Sequence, residues 1–231
     1  MSAPRLRLFQ LVSPALPVGA FSYSEGLEVL VQAGRLADAA AVVDWLAAEL
    51  RGGSLPIEAA ALPRLMDALA LWRRAAGVGD AAAAKAALFD LDGWLLAQRE
   101  AAEVRAQQRQ MGRSLLQLLA DLGWPLPEGS APALAWPAAW AWAGLCQELP
   151  PLEVVEAYIY GWVANQLSAA VRLVPLGPTE AQRQQLALAP LIEQRAAELV
   201  AADPATLWNG GVGAGLAQLG HGELYSRLFR S

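Results

Sequence analysis

The chain carries one histidine, His221, and one cysteine, Cys146, so the side chains best suited to a transition metal are scarce. A nickel, zinc or iron centre needs several imidazole, thiolate or carboxylate ligands converging on one point, and this inventory predicts no metal site within one chain. His221 could meet its own copy across a dimer axis, or serve in capping or packing. Cys146, in an apolar stretch rich in tryptophan, reads as an inert core thiol. A serine nucleophile of the common triad requires a histidine base, and the sole histidine follows a glycine-rich run. Gly211-Val212-Gly213-Ala214-Gly215 has the glycine spacing of a phosphate loop, but no Lys-Ser or Lys-Thr follows it and no strand pattern precedes it. Glu100 and Glu103 could form a carboxylate pair, yet Arg99 and Arg105 beside them make ion pairing the simpler account. A hydrolase built on that triad is not expected.

The chemistry that remains is recognition. The segment Tyr225-Ser226-Arg227-Leu228-Phe229-Arg230-Ser231 sets two aromatics and two arginines at the end of an acidic, alanine-rich chain. Terminal residues fray unless something holds them, so aromatic anchors and forked guanidinium donors there imply a receiving surface, on this chain or on a partner. Tyr225 and Phe229 are the expected anchors, with Arg227 and Arg230 as hydrogen-bond donors.

Composition narrows the partners. Seventeen basic residues against 22 acidic ones give a net charge of -5, which supplies no whole-molecule field for a phosphate backbone, so nucleic acid is not expected. One cysteine closes no intrachain disulfide, and a cytoplasmic location is the expectation. The mean hydropathy of +0.30 raises the question of a membrane span. Neither apolar stretch qualifies, because Pro14 and Pro17 interrupt 8–24 and Pro132 and Pro137 interrupt 131–146. The same prolines argue against a leader peptide behind Arg5 and Arg7.

The elements that must position these residues read as helices. Ser22 with Glu25 has the spacing of a capping box ahead of Leu27, Leu30 and Val31, with Gly34 as the stop. Asp38 is placed to cap a helix whose Val42, Val43, Leu46 and Leu50 share one face, leaving Asp44 and Glu49 off it, and Gly52 and Gly53 end it. A third helix starts near Ser54 and Pro56 and carries Leu62, Leu65, Met66, Leu69 and Trp72. Residues 77–80 read as a turn. The helical pattern of 81–122 is long enough to expect a break, at Gly93 or Gly112. Its middle, from Arg99 to Gln110, is crowded with polar side chains, as a solvated face or as something more. A loop follows at 123–132, then a helix with Trp136 and Trp140 on one face, then one over 152–174. Thr179 with Gln182 suggests another capping box, Pro190 a kink or restart, and 209–222 a mobile glycine-rich run. These readings give an all-α fold, a single-domain multi-helix bundle over 1–231, with flexible residues at 1–4 and a docking tail at 221–231.

Three segments together resemble one family, the urease accessory protein UreF. The first is Ser13-Pro14-Ala15-Leu16-Pro17-Val18-Gly19-Ala20-Phe21-Ser22-Tyr23-Ser24-Glu25-Gly26-Leu27-Glu28, where the family often has His or Gln at the place of Glu25. The second is Trp162 and Asn165 with Ala169-Ala170-Val171-Arg172-Leu173 and Pro175-Leu176-Gly177. The third is His221 with the closing segment from Tyr225 to Ser231. The chain departs from the family pattern at Gly222, Glu223 and Leu224, usually Glu-Thr-Gln, and at Pro178 and Ala181, where Gln and Gly are common. Ala101 and Ala102 stand where the family tends to place a further arginine near Glu103, so no role tied to that arginine is carried over.

The resemblance implies a non-enzymatic, all-helical chaperone that dimerises and bridges UreD (also called UreH) and the GTPase UreG, so that nickel is loaded into apo-urease. Nickel and GTP are then handled by the partners, and the chain itself needs no cofactor. It implies that the tail orders against UreD. The candidate partner-binding residues are Tyr23, Glu25, Arg99, Glu103, Arg105, Arg172, His221, Tyr225, Ser226, Arg227, Leu228, Phe229, Arg230 and Ser231. The segment from Ser13 to Gly26 is either a surface beside the tail or a helix-entry loop. The alternative role is stimulation of UreG in trans by a surface arginine, with Arg99, Arg105 and Arg109 as candidates.

Overall fold

In a computed structural model, residues 4–75, 78–127 and 134–231 are described, and they contain ten α-helices and no strand. The helices are α1 (Pro4–Leu11), α2 (Leu27–Gln32), α3 (Ala39–Gly52), α4 (Leu55–Arg74), α5 (Val78–Ala97), α6 (Ala102–Asp121), α7 (Trp136–Cys146), α8 (Pro151–Leu173), α9 (Pro178–Leu199) and α10 (Val212–Gly220). The all-α expectation holds.

A helix that is apolar on every side has to sit inside, and α4 is that helix. Ile57, Ala60, Leu62, Leu65, Leu69 and Trp72 are buried around its circumference, against α3, α5, α7, α8 and α9. Helix α7 is also enclosed, and its small residues let neighbours approach: a Cβ on Gly144 would lie 2.6 Å from Val154 Cγ2. Buried apolar side chains from Leu11 to Phe229 form one contiguous cluster. Trp140 belongs to it, flanked by Trp136 at 5.3 Å and edge-on to Tyr158 at 5.7 Å between ring centroids.

Several local signals hold in the fold. The Asp38 side chain accepts from Ala41 N at 2.9 Å, and Gly34, at φ 69, closes α2 with Arg35 N donating to Leu30 O and Gly34 N to Val31 O. Others were overridden by packing. Ser22 ends a 3-10 turn and Gly26, at φ 91, precedes α2, so no capping box forms there; Gly177 precedes α9, and Thr179 lies inside it. Of the expected turn at 77–80, Gly77 lies outside the described residues and Val78–Asp80 are the first turn of α5. The break in 81–122 falls at 98–101 rather than at a glycine. Gly93 is inside α5, and Gly112 inside α6 serves a close approach, because an added Cβ would clash with Leu134 O and lie 2.8 Å from the Ala135 carbonyl carbon. Helix α9 runs through Pro190, held by a buried stripe of Ala181, Gln185, Leu188, Ile192, Ala196 and Leu199 that recurs at helical spacing. Glu49 is buried against Gly53 and Gly211 instead of lying off the face, and burial raises its pKa. The run 209–222, expected to be mobile, contains α10. Of the loop at 123–132 only 123–127 are described, and of the residues expected to be flexible only Pro4 is.

Candidate functional site: the seat of the C-terminal tail

The tail returns to its own body, on a seat built from the loop before α2, from α2 itself and from α6, α8 and α10. Two consecutive left-handed residues shape the end of the loop: Gly26 at φ 91, where a Cβ would press on Gln218 N at 3.0 Å, and Glu25 at φ 50. A non-glycine side chain in that region costs free energy unless its surroundings compensate. Here they do. Glu25 N donates to Ser231 O at 3.0 Å and Glu25 O accepts from Gln218 Nε2 at 3.3 Å. Its carboxylate accepts from Gln107 Nε2 at 2.6 Å and from Trp162 Nε1 at 3.1 Å. One buried residue thereby ties α6, α8, α10 and the tail together.

The tail's main chain makes most of the remaining bonds. Ser231 O also accepts from Ser24 N at 2.7 Å and Ser24 Oγ at 2.6 Å, and Ser231 Oγ donates to Gln107 Oε1 at 2.5 Å. Arg230 N donates to Ser22 O at 2.8 Å. Leu228 N and Phe229 N donate to the two oxygens of the buried Glu28 carboxylate, at 2.7 and 3.1 Å. Gln32 Nε2 donates to Ser226 O at 3.3 Å. The Phe229 ring is buried beneath the Arg172 guanidinium, whose Cζ lies 4.9 Å from the ring centroid, and Arg172 Nη1 reaches Phe21 O at 3.4 Å. Arg227 Nη1 donates to Glu103 Oε1 at 2.9 Å, and His221, fully enclosed, sets Nδ1 2.7 Å from Glu103 Oε2.

Most of the sequence-selected residues therefore converge here. Tyr23, Glu25, Glu103, Arg172, His221, Arg227, Phe229 and Ser231 line or brace the seat, and Asn165 Nδ2 holds Tyr23 O at 3.3 Å. Tyr225 differs from the anchor role expected of it: its side chain is fully exposed; Leu228 is about half exposed, and Ser226 and Arg230 are exposed as well.

Arg99 stands apart. It is 3 % exposed, pairs with Glu58 through Nε at 2.9 Å and Nη2 at 2.7 Å, and also donates to Ser54 Oγ. Tyr158 donates its hydroxyl to the other Glu58 oxygen at 2.7 Å, with the phenol pKa raised by burial and by the Glu58 charge. Arg105 turns its guanidinium to the carbonyls of Arg99 and Glu100, at 2.5 and 2.6 Å. The polar crowding of 99–110 is thus divided: Arg99, Gln107 and Gln108 are buried, whereas Glu100, Arg109 and Gln110 form a solvated face. Glu25, Glu58, Gln107, Gln108, Tyr158 and Trp162 all line a cavity of about 360 Å³.

Sequence reasoning missed Glu28, Gln107, Gln32 and Gln218. A lone Glu28 in the apolar run Leu27 to Val31 was the available signal, because a carboxylate on a buried helix face implies donors brought to it from elsewhere. Helix α10, which contributes Gln218 to the seat, also carries an outward apolar ridge. Val212, Leu216 and Leu219 point outward from α10 while Ala214 and Ala217 face inward, and Trp208, Tyr225 and Leu228 are also exposed, Trp208 by 85 % and Leu216 by 64 %. No group of three or more metal-ligating side chains occurs among the described residues, and the half-buried Cys146 thiol is pushed up to about 12 by burial. Nor is any described helix long and apolar enough to cross a membrane.

Comparison with known proteins gives a consistent picture. The UreF family model matches residues 36–189. The urease accessory protein UreF of Alkalilimnicola ehrlichii is 40% identical over 227 residues, covering 97% of this chain and 95% of that protein. The UreF of Thermosynechococcus vestitus is 38% identical over 230 residues, covering 98% and 97%. A third, from Prochlorococcus marinus subsp. pastoris, is 36% identical over 231 residues and all of both chains.

Proposed function

The chain belongs to the UreF family of urease accessory proteins, and from that premise we propose that it is a non-enzymatic scaffold that bridges UreD and the GTPase UreG while nickel is inserted into apo-urease. The observation that carries this reading is an apolar ridge on the outward side of α10, the helix whose Gln218 braces the tail seat. Val212, Leu216 and Leu219 recur there at i, i+4 and i+7, and Tyr225 and Leu228 of the tail are exposed as well. An outward stripe on a helix with its own buried face has no use in packing this chain. It suits a partner surface with apolar pockets, and the aromatic side chains Trp208 and Tyr225 supply anchors of the kind that dominate interfaces. We assign this ridge and the tail to UreD.

Self-association has a second surface in this reading. Phe9 on α1 and Tyr160 on α8 are exposed around a groove of about 490 Å³ that also involves Ile192 of α9. The alternative, stimulation of UreG through an arginine supplied in trans, is narrowed by geometry. Arg99 is enclosed in its ion pair and Arg105 is bound to two carbonyls, so Arg109, which is exposed, is the candidate left of the three.

Co-expression with UreD and UreG, followed by purification and mass determination of the complex, tests the proposal. Leu216→Asp with Leu219→Asp, and separately deletion of 221–231, should abolish co-purification with UreD and nickel-dependent urease activation while leaving the helical signal of the free protein nearly intact. A complex unaffected by both changes refutes the assignment. UreG turnover measured with Arg109→Ala separates scaffold from activator.

A further inference from the structure

The single histidine is wholly enclosed where the tail begins, and both of its ring nitrogens face carboxylate oxygens. Nδ1 lies 2.7 Å from Glu103 Oε2, and Nε2 lies 3.4 Å from Glu28 Oε2. A neutral imidazole has one N–H and one lone pair. With a neutral ring between two carboxylates, one of these contacts sets a nitrogen lone pair against an oxygen, with no proton between them. Two protons on the ring turn both contacts into hydrogen bonds.

The surrounding groups favour that arrangement. Glu28 on α2 already serves as an acceptor at both oxygens, for Leu228 N and Phe229 N, and Glu103 on α6 accepts Arg227 of the tail at its other oxygen. The two carboxylates are therefore used as acceptors, and Arg227 compensates one of their charges. A doubly protonated ring compensates the other, leaving the cluster neutral; a neutral ring leaves one negative charge in a largely enclosed site. Arg105 is turned to main-chain carbonyls instead of the ring, Gln218 of α10 is uncharged and bonded to Glu25 O, and Glu223 is exposed.

We propose that His221 is a proton-operated clasp: closing the tail onto its seat takes up one proton, the imidazolium bridges Glu28 and Glu103, and loss of that proton loosens the tail. Glu28 makes the coupling direct, because the carboxylate that faces the ring also holds the tail's Leu228 and Phe229 main chain. One proton taken up on closure changes the closing constant by at most tenfold per pH unit, in favour of the closed tail as pH falls. As a means of regulating the docking proposed above, the clasp rests on that reading for its use. Its test involves no partner, so the two can fail separately.

The test is nuclear magnetic resonance on the full-length ¹⁵N-labelled protein, where one histidine gives one set of ring signals. Ring-nitrogen shifts report the proton count, and heteronuclear NOEs of the 225–231 amides report tail order on the ps–ns scale, between about pH 5.5 and 8.5 around the ordinary imidazole range. Both nitrogens should be protonated wherever the tail is ordered, with ring and tail changing at a common midpoint. In Glu103→Gln an amide N–H can donate to a neutral Nδ1, so the tail should stay ordered with its pH dependence lost. His221→Gln should also remove the pH dependence, with helical content unchanged. A singly protonated ring in the ordered tail overturns the proposal. So does a tail that stays ordered while the ring titrates, or a ring that stays doubly protonated to the top of the range.

Discussion

Glu28→Ala should open the tail without unfolding the bundle. The carboxylate accepts two main-chain N–H groups of the tail, at 2.7 and 3.1 Å, and is buried. A hydrogen bond to a charged acceptor contributes about 1.5–3 kcal/mol, and the freed amides regain water when the tail lifts, so the lower end of the sum applies. The tail should lose about 3 kcal/mol of docking free energy, roughly a hundredfold in the closed-to-open ratio at 1.36 kcal/mol per decade. Hydrogen exchange read at Leu228 and Phe229, together with tryptic cleavage after Arg227 and Arg230, measures that ratio. Glu28→Gln should fall between wild type and alanine, because one side-chain oxygen still accepts while the new amide N–H opposes a tail N–H. Core amides in α4 should keep their protection in both variants. Tail protection in Glu28→Ala equal to wild type would show that Phe229 burial and the Ser231 bonds hold the tail, and the carboxylate argument would be wrong.

Three further outcomes follow from the packing and the charges. Gly112→Ala drives a Cβ into the main chain at Leu134 and Ala135, where no side chain can swing aside; overpacking of about 1–3 kcal/mol should lower the thermal midpoint by several degrees, and an unchanged melt would mean the 134–135 segment yields freely. Arg99→Ala strands the Glu58 carboxylate in the core, so denaturant titration should show a loss of about 3–5 kcal/mol, with Arg99→Lys giving little rescue because one ammonium replaces a fork that reaches both Glu58 and Ser54. Asp92, whose oxygens accept Ala135 N at 3.0 and 3.3 Å, has its pKa raised by burial from 3.8 to about 6. A raised carboxyl pKa favours the fold in its protonated form, so this contribution is complete below about 3.8 and is lost as pH rises through about 6, by up to about 3 kcal/mol at 1.36 kcal/mol per unit. Asp92→Asn should keep the acceptor for Ala135 N and remove that slope, and stability curves for the two proteins that stay parallel between pH 4 and 7 would refute the assignment.

Local pattern and motif carried the class of the fold and the family. Helical spacing gave the all-α class, Asp38 and Gly34 gave real helix boundaries, and the Ser13 to Glu28 and Tyr225 to Ser231 segments gave the family. The tertiary structure decided how the polar residues are used. Arg99 and Glu25 have polar neighbours along the chain, Glu28 stands alone in an apolar run and His221 sits among glycines, yet all four are buried. Their partners lie far off in sequence: Glu58 for Arg99, Gln107 and Trp162 for Glu25, and tail amides for Glu28. A short-range pattern reports which face of a helix is apolar, whereas desolvating a charge is tolerable only when donors or a countercharge arrive with it. That condition is met when α2, α6, α8 and α10 come together, which is why the tail's seat was legible as a motif and illegible as a geometry.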